Sequence, residues 1–226
     1  MQSSQCEGIV LQSLNFQDYD KIITVFSYEE GVLKFHMKGA SRSASSRLST
    51  NPLTCAEFTY TKGRGDLLMC REIAVKESFL KLRQSLPMLE AAMDMLQVLI
   101  QSQLPHKPAP KLYQLLKWCL NKLAFSKDPH FLAASFRLKL LIHDGLLMLQ
   151  NRCTTCGESI SELYIAQGET FCLQHAPTKH FHFNNEENAL LAHLLNYQSF
   201  AEIALRELPP ILREKIIELS NLTLKG

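Results

Sequence analysis

In this 226-residue chain the spacing best suited to chemistry is Cys153-Thr154-Thr155-Cys156-Gly157, fifteen further residues to Cys172, then Cys172-Leu173-Gln174-His175. Zinc takes four soft or borderline ligands in a tetrahedron, and a C-x2-C turn supplies two adjacent corners. The second knuckle, C-x2-H, completes a Cys3His set of Cys153, Cys156, Cys172 and His175, with His180 or His182 as alternative fourth ligands. Gly157 lets the first turn bend back toward the metal. Leu163-Tyr164-Ile165-Ala166 and Thr170-Phe171-Cys172 around Gly168 read as a small hairpin, giving a zinc ribbon. Four protein ligands leave no position for water, and the His-x-Glu partner of zinc deaminases is missing, so the expected zinc is structural.

A second constellation is electrostatic. From Val32 to Arg64 there are six basic residues, Lys34, Lys38, Arg42, Arg47, Lys62 and Arg64, against one acid, Glu57. They fall on a Ser-rich loop and on the Lys62–Asp66 hairpin. Guanidinium and ammonium groups, the hydroxyls of Ser41, Ser43, Ser45 and Ser46, and loop N–H groups suit phosphates. Phe35, Phe58 and Tyr60 are candidates for base stacking, or else core. A solvated polar loop is the competing reading.

Residues 6–76 are predicted to form the β scaffold for these cations. Gly8–Leu11, Lys21–Phe26, Val32–Met37, Cys55–Tyr60 and Leu67–Cys70 are apolar or β-branched runs separated by turn signals. Five short strands suit a small closed barrel, which removes exposed edges; an SH3-like or an OB-type barrel would give this pattern. From Ser78 the period turns helical, with stripes through Leu89–Ile100 and Leu112–Leu123 either side of a Pro-rich break. Asp128-Pro129 caps a third helix stopping near Gly145; a fourth begins near Asn185 and a fifth after Pro209-Pro210. The fold class is therefore α+β: a barrel over 1–78, then a mainly helical domain over 79–226 holding the ribbon at 150–180.

The remaining composition excludes rather than assigns. Lys and Arg total 24 against 22 Asp and Glu, so any polyanion footprint is local. No apolar run reaches the ~18 residues of a membrane span, and no signal-peptide pattern opens the chain, so a cytoplasmic location with no membrane partner is expected. In that reducing compartment the seven cysteines are expected as thiols, with Cys6, Cys55, Cys70 and Cys119 as small buried hydrophobes. There is no Walker loop, nucleophile elbow or catalytic carboxylate pair, which points away from an enzyme.

Glu7–Leu11 with Asp18–Phe26, Gly31–Leu33 through Lys38-Gly39-Ala40-Ser41-Arg42, Tyr60–Gly65, and Phe136–Leu141 leading to Gly145 and the Cys153 ribbon together resemble the bacterial recombination mediator family RecO. The resemblance implies an OB-fold barrel packed on a helical domain. It also implies binding to single- and double-stranded DNA, strand annealing, nucleoid association, and help in replacing single-strand binding protein by recombinase. Implied partners are a RecR-type mediator and the C-terminal tail of single-strand binding protein, with Arg137 and Lys139 as candidate cations for that tail. Carried over by position, Lys38, Arg42 and Arg47 fall in the family's basic loop, Lys62 and Arg64 in its hairpin; His175 stands where a fourth cysteine is common. The alternatives are a zinc-stabilised protein-interaction adaptor with incidental DNA contact, and a zinc hydrolase or deaminase.

Overall fold

Alternation of inward apolar and outward polar side chains builds the N-terminal sheet. The computed structural model describes residues 3–62 and 67–225. Strands β1 (Ser3–Phe16), β2 (Asp20–Ser27), β3 (Gly31–Met37), β4 (Cys55–Thr61) and β5 (Leu67–Glu77) close into a barrel in the order β1-β2-β3-β5-β4, with β4 returning to β1. The β3–β5 pairing is parallel and the others antiparallel. This order, with a helix between β3 and β4, is that of an OB barrel. β1 and β5 extend well beyond the Gly8–Leu11 and Leu67–Cys70 runs seen in the sequence. Register shifts between Val10 and Gln12, and beside Thr59 and Tyr60, break the period-two alternation there, so each bent strand reads as a shorter one.

The barrel core contains Val10, Ile23, Val25, Leu33, Phe35, Phe58, Tyr60 and Leu68. Phe35 and Phe58 stack on each other at 5.2 Å, and the Tyr60 hydroxyl donates to Glu30. Phe35, Phe58 and Tyr60 are thus buried: of the two readings open to them, the structure selects core and removes base stacking. Their inward phase follows from their strand neighbours: Phe35 lies between the outward Lys34 and His36.

The Ser-rich stretch, expected as a loop, contains a short helix, α1 (Ala44–Ser49). Ser43 caps it, its Oγ accepting the Ser46 N–H at 3.0 Å. At the β2–β3 turn Gly31 has φ +72°, and a Cβ there would lie 2.1 Å from the Lys107 carbonyl oxygen. Glycine is needed on both counts, because the segment Pro105–His106 docks on Val32 through a bridge and the His106 N–H to Val32 O bond.

The described residues divide into two units, 1–121 and 122–226. The first holds the barrel, helix α2 (Leu86–Ser102) and nearly all of helix α3 (Pro110–Leu123). Glu7 on β1 fixes α3. Its Oε1 accepts from Lys117 Nζ at 2.7 Å and Tyr113 OH at 2.9 Å, and its Oε2 from Lys76 Nζ at 2.8 Å. Burial opposes the Glu7 charge, but donation from Lys117, Lys76 and Tyr113 outweighs it and brings the carboxyl down from 4.5 to about 2. A folded-state pKa below the unfolded one stabilises fully above about 4.5, and that contribution fades as pH falls toward 2. Glu7→Gln is therefore expected to cost about 2 kcal/mol in urea unfolding at pH 7, with the gap from the native chain narrowing between pH 5 and 2. An equal loss at both ends of that range would refute the assignment.

In the second unit α4 (Pro129–His143) is buried from Phe131 through Leu138 and packs against α5 (Asn185–Asn196) and α6 (Pro210–Thr223). Asp128 caps it, accepting the His130 N–H at 2.9 Å, while its other oxygen holds the Leu208 N–H at 2.8 Å. Asn184 and Glu187 form a reciprocal capping box at the start of α5. Strands β6 (Leu163–Ala166), β7 (Glu169–Phe171) and β8 (Phe181–Phe183) form a small sheet ordered β7-β6-β8. Among the described residues no helix is long and apolar enough to cross a membrane.

Candidate nucleic-acid face and metal centre

The ribbon brings Cys153, Cys156, Cys172 and His175 together, one ligand atom from each lying within 4.8 Å of all the others. A tetrahedron with Zn–S bonds of ~2.3 Å has edges of about 3.8 Å, so the set fits a tetrahedral metal. His175 presents Nδ1, at 3.1 Å from Cys172 Sγ and 3.8 Å from Cys153 Sγ. Two tight turns do the positioning. The Gly157 N–H donates to Cys153 O, with Gly157 at φ +73°, and the His175 N–H donates to Cys172 O. The Thr154 N–H to Thr170 O bond ties the first knuckle to β7.

The electrostatics suit a cation. Burial disfavours the Cys153 thiolate, but N–H groups of Cys156, Cys172 and Thr155 aimed at its sulfur prevail and lower the thiol to about 6. At Cys156 the Glu158 N–H favours the thiolate, yet burial and the neighbouring sulfurs of Cys153 and Cys172 push the group up. Crowded thiolates of this kind are relieved by a metal. Of the alternative fourth ligands, His182 pairs with Glu162 at 3.0 Å and His180 Nδ1 faces Pro177 O at 2.7 Å; neither joins the group.

The cations of the barrel gather around β3. Leu33, Phe35 and Met37 point inward, which turns Lys34 and His36 outward, and Lys38 follows in phase. Parallel pairing sets Lys34 beside Leu67 and His36 beside Met69. Lys62 emerges from β4 one residue after Thr61, whose partner is Met69, so only β5 separates it from Lys34. Lys38 and Arg71 line one cleft with Ser46, Ser49 and Thr50. The Ser41 N–H donates to Tyr19 O at 2.9 Å, which holds the loop after β3 against the β1–β2 turn. There Arg42 lies 5.2 Å from the Tyr19 ring centroid, and Arg47 Nη1 donates to Ser41 O at 3.1 Å. Lys34, Lys38, Arg42, Arg47 and Lys62 are all exposed, and among the described residues none forms an ion pair. Arg64 lies outside the described residues. The hydroxyls of Ser43 and Ser46 bond each other in the α1 cap.

Residues 1–79 match the family described as "Recombination protein O N terminal", and residues 83–224 match "Recombination protein O C terminal". The chain belongs to the RecO family. Among similar proteins, the DNA repair protein RecO of Chlamydia trachomatis serovar L2 is 30% identical over 212 residues, spanning 92% of this chain and 87% of that protein. RecO of Chlamydia pneumoniae is 30% identical over 215 residues, 94% of this chain and 85% of that one. RecO of Listeria welshimeri is 26% identical over 190 residues, 84% and 67% respectively. RecO membership makes this a DNA repair protein.

Within the RecO helical unit, Arg137 is 3% exposed and its Nη1 donates to Ser220 Oγ at 2.9 Å. Lys139 is half-buried, its Nζ 3.7 Å from the Tyr197 ring centroid. Sequence reasoning passed over Arg71, Phe16, Tyr19 and His36. Arg71 lies beyond the basic count, on a stretch of β5 that the run Leu67–Cys70 did not reach. Phe16 and Tyr19 flank the polar pair Gln17-Asp18, the signature of an exposed turn.

Proposed function

We propose that this chain is a DNA-binding mediator of recombinational repair, annealing complementary single strands and helping recombinase replace single-strand binding protein. The observation that carries this reading is the set of exposed cations Lys34, Lys38, Arg42, Arg47 and Lys62 on and around β3, none in an ion pair among the described residues, on the side of an OB barrel that takes oligonucleotides. Base pairing supplies the free energy of annealing; the protein's task is to screen phosphate repulsion and hold two strands close. Lys34, Lys38, Arg42, Arg47, Lys62 and Arg64 are the proposed phosphate contacts. A RecR-type mediator and the tail of single-strand binding protein are the proposed partners; of the two cations considered for that tail, Arg137 is buried against Ser220, which leaves the half-buried Lys139 as the candidate. The Cys3His group is proposed to hold zinc as a structural staple, a role supported by its donor set and spacing.

With four to six phosphate contacts on a single strand, log affinity against log salt is expected to fall with a slope of roughly three to four, a loss of about a thousandfold or more over a tenfold salt increase. Fluorescence anisotropy with a labelled oligonucleotide measures it. A nearly flat line would remove the DNA-binding reading and leave the adaptor.

A further inference from the structure

We propose that Phe16 and Tyr19 form a base-stacking shelf that makes the barrel face prefer unpaired over paired DNA, an inference that rests on the DNA-binding reading above. Phe26, Phe35 and Phe58 are fully buried, whereas Phe16 is 38% and Tyr19 53% exposed, with Leu14, two residues before Phe16 on β1, at 53%. Leaving this aromatic area in water forfeits the burial that drives the rest of the barrel.

The shelf is held in place before any ligand arrives. Phe16 meets the His36 ring at 5.6 Å and 85°. His36 Nε2 lies 2.7 Å from Asp20 Oδ2, and Asp20 Oδ1 accepts the Gly39 N–H at 2.8 Å. That N–H, with His36, holds the Asp20 carboxyl below its usual range, so the anchor stays charged. Tyr19 is fixed through its own carbonyl to Ser41 and lies under Arg42. Rings positioned in this way take a base without an ordering cost.

The surroundings decide the occupant. An apolar protein surface would leave Lys34, Lys38, Arg42 and Arg47 uncompensated around the rings. A nucleic-acid strand satisfies both, with phosphates on the cations and bases on the rings, and every base has a π-face to offer. In a duplex the bases are stacked inside the helix, so only the phosphates can be used. The cations therefore bind both forms, and the rings add affinity for the single strand alone.

The test uses the full chain and three labelled probes of one length: a mixed-sequence single strand, the same backbone carrying abasic sites, and a duplex. Phe16→Ala and Tyr19→Ala are each expected to weaken single-strand binding about tenfold, the range of one lost base stack, and to leave the abasic and duplex probes within about twofold. Tyr19→Phe should retain native affinity, and Tyr19→Leu, which keeps bulk but no ring, should not. Tyr19 is more than half exposed, so its variants report even if Phe16→Ala fails to fold. Equal native affinity for the normal and abasic strands, or ring variants that weaken all three probes alike, would overturn the shelf. Arg42→Glu with Arg47→Glu separates the two layers: loss on all three probes with unaltered ring variants sinks the shelf only, whereas no loss on any probe removes the β3 cations as the DNA contact and the shelf with them, and no binding of any probe by the native chain sinks the DNA-binding reading itself.

Discussion

Cys153→Ser is expected to release the metal and to lower the stability of residues 122–226 by about 3 kcal/mol or more, seen as an early thermal transition and a zinc-to-protein ratio near zero. The size follows from what the knuckles hold. Cys153 is buried, and the adjacent Thr154 N–H is bonded to β7. The three-stranded sheet beyond it contributes the buried side chains Leu163, Ile165 and Phe183. Without the metal, three closely spaced thiols and an imidazole must be hydrated or repel one another, and short strands of three or four residues have little else to fix their register. Two histidine substitutions sharpen the test. His175→Cys keeps a competent fourth ligand and is expected to retain metal, whereas His175→Ala should lose it; His180→Ala and His182→Ala should leave the ratio unchanged. Purified native protein without metal, together with an unaltered melting curve for Cys153→Ser, would refute the structural-zinc assignment.

Local sequence was most informative where a side chain does its work on neighbouring backbone. Asp128-Pro129 and Pro209-Pro210 mark helix starts because a cap or a fixed φ acts within a few residues, and α4 and α6 begin there; α5 starts at Asn185, where the sequence put it. The Cys3His spacing was legible for the same reason, since each knuckle closes over a few bonds. Elements defined by distant partners were harder to see. β8 is three residues long and exists because Phe181, His182 and Phe183 pair with β6; no period can be read from so short a run. α1 lies in a serine run that equally suits a loop, and its cap hydroxyl is what commits it to a helix. Strand order is still less local, because β3 and β5 pair in parallel across α1 and β4. The aromatics show a different limit. For Phe35 the sequence left core and stacking open, and the phase set by the outward Lys34 decides for core, but whether Phe16 and Tyr19 were buried depended on where β1 leaves β4. That pairing ends at Ile9, and the rest of β1 runs on with β2 alone.

Arg42→Glu combined with Arg47→Glu is expected to reduce affinity for a single-stranded oligonucleotide about a hundredfold or more at ~0.1 M salt, and to flatten the salt slope by roughly one and a half. Two effects contribute. Two phosphate contacts and their released counterions are lost, which sets the change in slope, and two new negative charges repel the strand, which lowers affinity without adding to it. Arg42→Gln with Arg47→Gln isolates the first: it should flatten the slope by the same amount with a smaller loss of affinity. Folding should be nearly unaffected, because both side chains are exposed and neither is in an ion pair among the described residues. Arg47 gives up one exposed bond to Ser41 O, worth under ~1 kcal/mol. Annealing of complementary strands should slow in step with affinity, since a surface that no longer neutralises phosphates cannot bring two polyanions together. If the reversed pair bound DNA as the native chain does while annealing persisted, the cations around β3 would not be the contact surface. The binding would then have to lie in the helical unit, where Arg137 is already committed to Ser220.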